Sequence, residues 1–191
     1  MLIGLTGGFG SGKSTVLQIF GQLGAVTADS DKIVHGALED PEIKEEILKE
    51  FGEGVINNNA VDRGRLAEMV FSSEATRKRL EMILHPRVFE TIEGLHRKHR
   101  DSIVIAEIPL LFETGYHKKV DVTITVIAER HVIRERLIRK GFTEEEIRRR
   151  ASAQIPLEDK SRLSDYVIDN SGTLEKTEKQ VKGIWEELLK Q

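Results

Sequence analysis

The chain has 191 residues, with 29 Lys and Arg against 32 Asp and Glu and a net charge of −3; that length gives room for one real core, or a core with a smaller appendage, and the charge is too balanced for a surface built throughout for nucleic acid. It contains no Cys, which excludes disulfides, thiolate metal sites and cysteine nucleophiles. No apolar run nears the roughly 18 residues of a membrane helix, and the N-terminus meets glycines at once without a basic segment, so a soluble cytoplasmic protein is the expectation.

Leu2 to Thr6 is the first β-rich run. A glycine-rich turn follows, then an amphipathic helix from Lys13 to about Leu23 with Val16, Leu17, Ile19, Phe20 and Leu23 as its stripe, stopped by Gly24. The second run, Ala25 to Asp29, leads into Asp29-Ser30-Asp31. From Lys32 to Arg100 there is no convincing strand. Helical patterns cover Glu42 to Phe51, Arg63 to Phe71, Glu74 to Leu84 and Pro86 to His99, with Pro86 opening its helix at the first position. Gly52-Glu53-Gly54 and Asn57-Asn58-Asn59 read as turns. Three more β-rich runs follow, Ile103 to Ile108, Val122 to Ile127 and Tyr166 to Ile168, with a basic helical stretch, Arg130 to Arg150, before the last of them. The final helix, about Leu174 to Leu189, presents Val181, Ile184, Trp185, Leu188 and Leu189. Strands that are continuously apolar and alternate with helices predict an α/β protein with a parallel sheet covered on both faces. The predicted core is residues 1–31, 101–129 and 155–191, with a helical insertion at 32–100 and a lid at 130–154.

Gly7-Gly8-Phe9-Gly10-Ser11-Gly12-Lys13-Ser14 satisfies G-x-x-x-x-G-K-[ST], with an apolar strand before it and an amphipathic helix after it. Glycines let backbone N–H groups close around phosphate oxygens, and the helix start adds the positive end of its dipole. Lys13 is placed at the β- and γ-phosphates and the Ser14 hydroxyl at Mg²⁺. Such a loop specifies nucleotide phosphate but not its use. No N-K-x-D segment supports a GTPase. Glu107, closing an apolar run, imitates the acid of a motor or transporter ATPase. A small-molecule kinase needs an acceptor-holding insertion, a basic lid and a carboxylate near the γ-phosphate, and all three are found here.

Asp29 and Asp31 are the carboxylate candidates, at the sheet edge where α/β proteins bind ligands. One would order water on Mg²⁺ while the other takes a proton from an acceptor hydroxyl. The competing reading makes Ser30 or Asp31 the N-cap of the next helix. In the lid, one or two arginines are expected to stabilise transferring charge. Arg139 is preferred because it stands just before Gly141, at the hinge. The others form a solvated face, with Glu144–Arg148, Glu145–Arg149 and Glu146–Arg150 at i,i+4 spacing.

Taken together, the chain resembles the dephospho-CoA kinase family over almost its whole length. Leu5 to Val16 resembles the family's opening, Asp29-Ser30-Asp31 its D-A-D, and Leu84-His85-Pro86 its L-H-P. Ile108-Pro109-Leu110-Leu111-Phe112-Glu113 with Gly115 resembles its P-L-L-F-E-x-G, and Ala153-Gln154 and Asp165 to Gly172 resemble the lid end and last strand-turn. The resemblance implies a three-layer P-loop kinase fold with a five-stranded parallel sheet, a helical substrate-binding insertion and a helical lid. It also implies transfer of phosphate from ATP to the ribose 3′-hydroxyl of dephospho-CoA. It assigns the phosphates to Gly8, Gly10, Ser11, Gly12, Lys13, Ser14 and Thr15, and the adenine to the neighbourhood of Asn170. Magnesium goes to Ser14, with Asp29 and Glu107 acting through water, and Asp31 is the base. His85 faces the acceptor or is a core or helix-entry histidine before Pro86; Leu110, Phe112 and Glu113 shape the acceptor pocket or pack the start of a loop. Glu107 stands where the family has Asp, Ser30 stands for its alanine, and the lid arginine aligns as Arg136 or Arg139. The expected partners are ATP and dephospho-CoA, with no nucleic acid and no membrane, acting on a monomer.

Overall fold

The computed structural model describes residues 1–190, less the side chains of Phe71 and Ser72; Gln191, assigned to the core above, lies outside the described residues. It divides into two compact units, residues 1–29 with 96–191, and residues 30–95.

In the first unit, β1 (Leu2–Gly7), β2 (Val26–Asp29), β5 (Val104–Glu107), β6 (Val122–Ile127) and β7 (Tyr166–Asp169) form one parallel sheet in the order β2-β5-β1-β6-β7. β1 is buried along its whole length, as a central strand between two helical layers must be. Alternate residues choose the layers. Ile3, Leu5, Ile105, Ile124, Val126 and Ile168 pack on α1 (Lys13–Gln22) and α9 (Leu174–Leu188), whose Phe20, Val181, Ile184 and Leu188 complete the core. On the other face, α8 (Leu157–Leu163) lies against β1 and β6. Thr125 Oγ1 hydrogen-bonds there with the Ser164 hydroxyl at 2.5 Å and donates to Lys160 O at 3.3 Å. Gly4 has no room for a side chain: a Cβ would come within 2.8 Å of Leu111. α6 (Arg130–Arg139) and α7 (Glu144–Ala151) complete this unit, joined through Gly141 at φ +87°.

Thr143 caps α7 in a reciprocal box with Glu146: Glu146 N donates to Thr143 Oγ1, and Thr143 N donates to Glu146 Oε2 at 2.8 Å. The Thr143 N–H, with the Thr143 hydroxyl at 2.9 Å, holds the Glu146 carboxyl below its usual range. Glu144 reaches across to Arg134 on α6 at 2.5 Å. Glu144 is therefore drawn across to α6, while Glu146 joins the box and still feels the charge of Arg150. A capping box satisfies two orphan helix donors, which outweighs a solvated ion pair.

The second unit contains α2 (Ser30–Ala37), α3 (Pro41–Phe51), the hairpin β3 (Ile56–Asn57) and β4 (Ala60–Val61), α4 (Arg63–Ser72) and the body of α5 (Glu74–Lys98). Ala37, Ile43, Ile47, Val55, Val61, Leu66, Val70 and Leu84 form its core. Asp40 and Asp62 cap α3 and α4. Arg87 pairs with Asp40 and holds that carboxyl below the usual carboxylate range. The sequence of this interval predicts no strand, and the structure adds a small one. The hairpin is only two residues per arm, too short for an alternating pattern, and Asn58 and Asn59 turn it at φ 48° and 62°.

Pro86 does not open a helix. It lies inside α5, which runs unbroken from Glu74 to Lys98. An interior proline costs about 3 kcal/mol. Leu84, Val88 and Ile92 recur every fourth residue across it and are all buried. Their burial, roughly 1.5–3 kcal/mol per side chain, outweighs that cost and keeps both halves in register. Among the described residues, no helix is long and apolar enough to cross a membrane.

Candidate active site

The glycine-rich loop leaves the C-terminal end of the central strand and turns into α1. Gly7 stands at φ +150°, where a Cβ would meet Val126 O at 2.3 Å; Gly12 stands at φ +94°, where one would come within 2.0 Å of Asn170 Nδ2. Both positions exclude a side chain on conformation and on space. α1 has no side-chain cap and no acid in its first turn. Its first N–H groups therefore face an anion site without an internal carboxylate to compete. Lys13, 8% exposed, lies across the loop with Nζ donating to Gly7 O and Gly8 O at 3.3 and 3.2 Å. Ser11 is wholly buried, and its Oγ has no hydrogen-bond partner among the described residues. Ser14 and Thr15 are exposed at the rim.

Ser14 Oγ donates to Glu107 Oε1 at 3.5 Å. Glu107 ends β5, is 5% exposed, and stands in register with Asp29 at the end of β2. In-register residues of parallel neighbours share a face, with strands about 4.8 Å apart. One hydroxyl and two carboxylates thus meet at this edge. Among the described residues no group of three His, Cys, Asp or Glu could hold a metal alone. This donor set still fits Mg²⁺, which takes one or two carboxylates plus nucleotide phosphates and keeps several waters.

Asn170, predicted near the adenine, has its side-chain amide committed to the protein. Its Nδ2 donates to Ser11 O at 2.7 Å and its Oδ1 accepts from Thr177 Oγ1 at 2.9 Å, so it braces the loop against α9. Arg136 donates from Nη2 to Asn170 O at 2.8 Å. Its Nη1 is buried without a partner among the described residues and stands 3.8 Å from where a Gly12 Cβ would be. The structure does not bring Arg139 to the loop. Arg139 is an exposed side chain on α6, paired with Glu135 at 3.2 Å. The two arginines are three positions apart on α6; at 3.6 residues per turn Arg136 lies about 100° round the helix from buried Leu137 and Arg139 about 160°, nearly opposite it.

Phe9, Phe142 and Arg150 form a stack that sequence reading missed. The two rings meet edge-on at 5.2 Å, and the guanidinium stands 5.0 Å from each centroid. It joins the loop to both ends of α7, and between loop and lid opens a cleft of about 550 Å³ floored by Gly8 and Phe9. The available signal was an aromatic inside a glycine loop, where packing gives it no purpose.

Leu110 and Phe112 are half-buried in the turn after β5, with Phe112 beside His117 at 5.2 Å. Glu113 Oε1 accepts Ile155 N at 3.0 Å and pairs with Lys160 at 3.0 Å. Burial pushes the Lys160 ammonium below its usual range, with Glu113 pulling it back. In the second unit, Asp31 is exposed in the first turn of α2. That helix starts at Ser30, so neither Ser30 nor Asp31 precedes it as a cap. His85 is half-buried in α5 with its ring 5.5 Å from Phe89, and burial lowers its pKa.

A family model described as dephospho-CoA kinase matches residues 1–176. The dephospho-CoA kinase of Aquifex aeolicus is 42% identical over 191 residues, spanning 98% of this chain and 97% of that protein. A solved Thermus thermophilus structure is similar at TM-score 0.84 and 35% identity, covering 98% of this chain and 97% of its own. The dephospho-CoA kinase from Campylobacter jejuni matches at TM-score 0.70 and 23% identity, over 98% and 96% of the two chains, a likeness of fold.

Proposed function

The chain belongs to the dephospho-CoA kinase family, and we propose that its own loop, carboxylates and lid arginine carry out that family's reaction. The γ-phosphoryl group of ATP is transferred to the 3′-hydroxyl of dephospho-CoA, giving coenzyme A and ADP, the last step of coenzyme A biosynthesis. The observation that carries the reading is the convergence on one P-loop of Lys13, the Ser14–Glu107 pair and the inward guanidinium of Arg136. This is the set a phosphoryl transfer needs, because catalysis there is positioning and charge stabilisation.

The N–H groups of the loop and of the α1 start bind the phosphates. Lys13 exchanges its loop carbonyls for β- and γ-oxygens. Ser14, Glu107 and Asp29 would hold Mg²⁺, which when bound neutralises charge on the transferring group. Arg136 offers Nη1 to the same oxygens while Nη2 stays on Asn170. Asp31 orients the 3′-hydroxyl and takes its proton. His85, Leu110, Phe112 and Glu113 are assigned to the acceptor. The reading takes the protein as a cytoplasmic monomer working on two small molecules.

The test is a coupled assay with Mg-ATP and dephospho-CoA, run beside adenosine, AMP, shikimate and gluconate, with the product's mass checked for one added phosphate. Selective conversion of dephospho-CoA is the expected result. ATP hydrolysis without transfer to it would overturn the acceptor assignment.

The stack on Phe9 carries its own prediction. An edge-on aromatic pair and a cation–π contact together contribute about 1–2.5 kcal/mol. Phe9→Ala therefore lowers kcat/KM for ATP by roughly tenfold through a less well-seated lid. The melting temperature should move little, because Phe9 lies outside the hydrophobic core and its loss frees the lid locally before it affects global unfolding. A melting point lowered in step with activity would make Phe9 a packing residue instead.

A further inference from the structure

Lys160 is 0% exposed, and its ammonium sits where four segments meet. Nζ donates to Pro109 O at 2.7 Å and pairs with Glu113 Oε1 at 3.0 Å. Pro109 O also accepts Thr6 Oγ1 at 3.2 Å, and Thr6 is the residue before the glycine-rich loop begins. Glu113 Oε1 also accepts the N–H of Ile155, which lies between lid helix α7 and α8. One buried cation therefore links the start of the phosphate loop, segment 109–113, the root of the lid and α8.

Stability does not explain this arrangement. Taking an ammonium and a carboxylate out of water costs several kcal/mol per ion, and well-packed apolar residues of similar volume often do as well or better. A methionine would fill the same slot. What the ammonium adds is direction: it ties two oxygens on one segment, one of which also holds the lid root. Gly115 N and His117 N bond to Phe112 O and Leu111 O, within the turn and the residues that follow it. Thr114 bonds back to Leu110 O at 2.7 Å, within the same turn, and does not tie it to the lid.

We propose that Lys160 is a positioning residue that fixes the acceptor segment 109–113 in register with the root of the lid. Seating the acceptor and closing the lid then become one event. This rests on the reading of 109–113 as acceptor-binding given above.

The experiment compares the wild-type full-length protein with Lys160→Met and with Lys160→Met/Glu113→Gln. The double variant removes both charges, so it leaves no unpaired buried carboxylate and keeps the test open if the single variant does not fold. KM for dephospho-CoA is expected to rise about tenfold, the size of coupling found between residues in one buried network, while KM for ATP stays within about twofold. Trypsin cleavage at the exposed Arg148 and Arg149 is expected to speed up about fivefold, since it follows the freedom of the lid. A lower melting temperature with both KM values and the cleavage rate of the folded protein unchanged would overturn the proposal and leave Lys160 a packing residue. If the wild type does not phosphorylate dephospho-CoA, the functional reading fails by itself, and the cleavage comparison still decides whether Lys160 holds the lid root.

Discussion

Asp31→Asn should lose turnover by about 10²–10⁴-fold while ATP affinity stays within a few-fold, because general-base catalysis is worth that much and the substitution leaves the phosphate cradle untouched. The amide keeps the shape of the carboxylate and can still orient a hydroxyl. It cannot take a proton. Asp31 is exposed in the first turn of α2 and is not the cap of that helix. The substitution keeps the size of the side chain and removes a charge whose helix-dipole contribution is about 0.3–1 kcal/mol, and the melting temperature of the variant checks that it stays folded. Single-turnover measurement of phosphate transfer, beside equilibrium ATP binding, separates chemistry from affinity. If kcat stayed within a few-fold of wild type, Asp31 would not be the base. Asp29→Asn provides the contrast. It stands in register with Glu107, so its loss should appear as a higher Mg²⁺ requirement that added magnesium partly restores.

Sequence and structure agree where one residue pattern has one physical meaning. Continuously apolar runs such as Val104 to Ala106 suit strands covered on both faces and take the middle of the sheet, while the edge strands β2 and β7 are only partly buried. A G-x-x-x-x-G-K-S turn between strand and helix leaves few other conformations open, since Gly7 and Gly12 each exclude a side chain. Legibility fails where a local signal is opposed by a distant one. Pro86 is a strong local break, but Leu84, Val88 and Ile92 are buried on either side of it, and Leu84 packs into a core built from residues distant in sequence. α8 reads as a short charged stretch, and nothing near Lys160 in sequence shows that its partners are Pro109 and Glu113, some fifty residues earlier. The one local hint is its position three residues after Leu157, on the same helical face. The stack of Phe9, Phe142 and Arg150 was hidden for the same reason: its members meet only when the lid is folded over the loop.

Arg136 and Arg139 are chemically identical and lie on one basic helix, so only geometry distinguishes them. The hinge at Gly141 favoured Arg139 in the sequence; the fold turns Arg136 inward. Arg136 has one nitrogen on Asn170 O and the other buried without a partner beside Gly12. Leaving a buried charged donor unmatched costs more than about 1–3 kcal/mol, and transferring phosphoryl oxygens are the acceptors that would meet it. Arg136→Ala is therefore expected to lower kcat by about 10²–10³-fold, the usual loss for one preorganised donor at developing charge. Arg136→Lys should recover little of it. A lysine is a point donor and cannot hold Asn170 O and a phosphate oxygen at once in the planar fork of a guanidinium. Arg139 is exposed and paired with Glu135 at i,i+4 spacing, an interaction worth about 0.3–0.5 kcal/mol, so Arg139→Ala should stay within about twofold of wild type. Steady-state kcat on the three variants, each checked for folding by its melting temperature, decides the matter. The reverse order, with Arg139→Ala inactive and Arg136→Ala near wild type, would mean that the lid turns on closing to bring a different face of α6 to the phosphates. The buried nitrogen of Arg136 would then serve only to anchor the loop through Asn170.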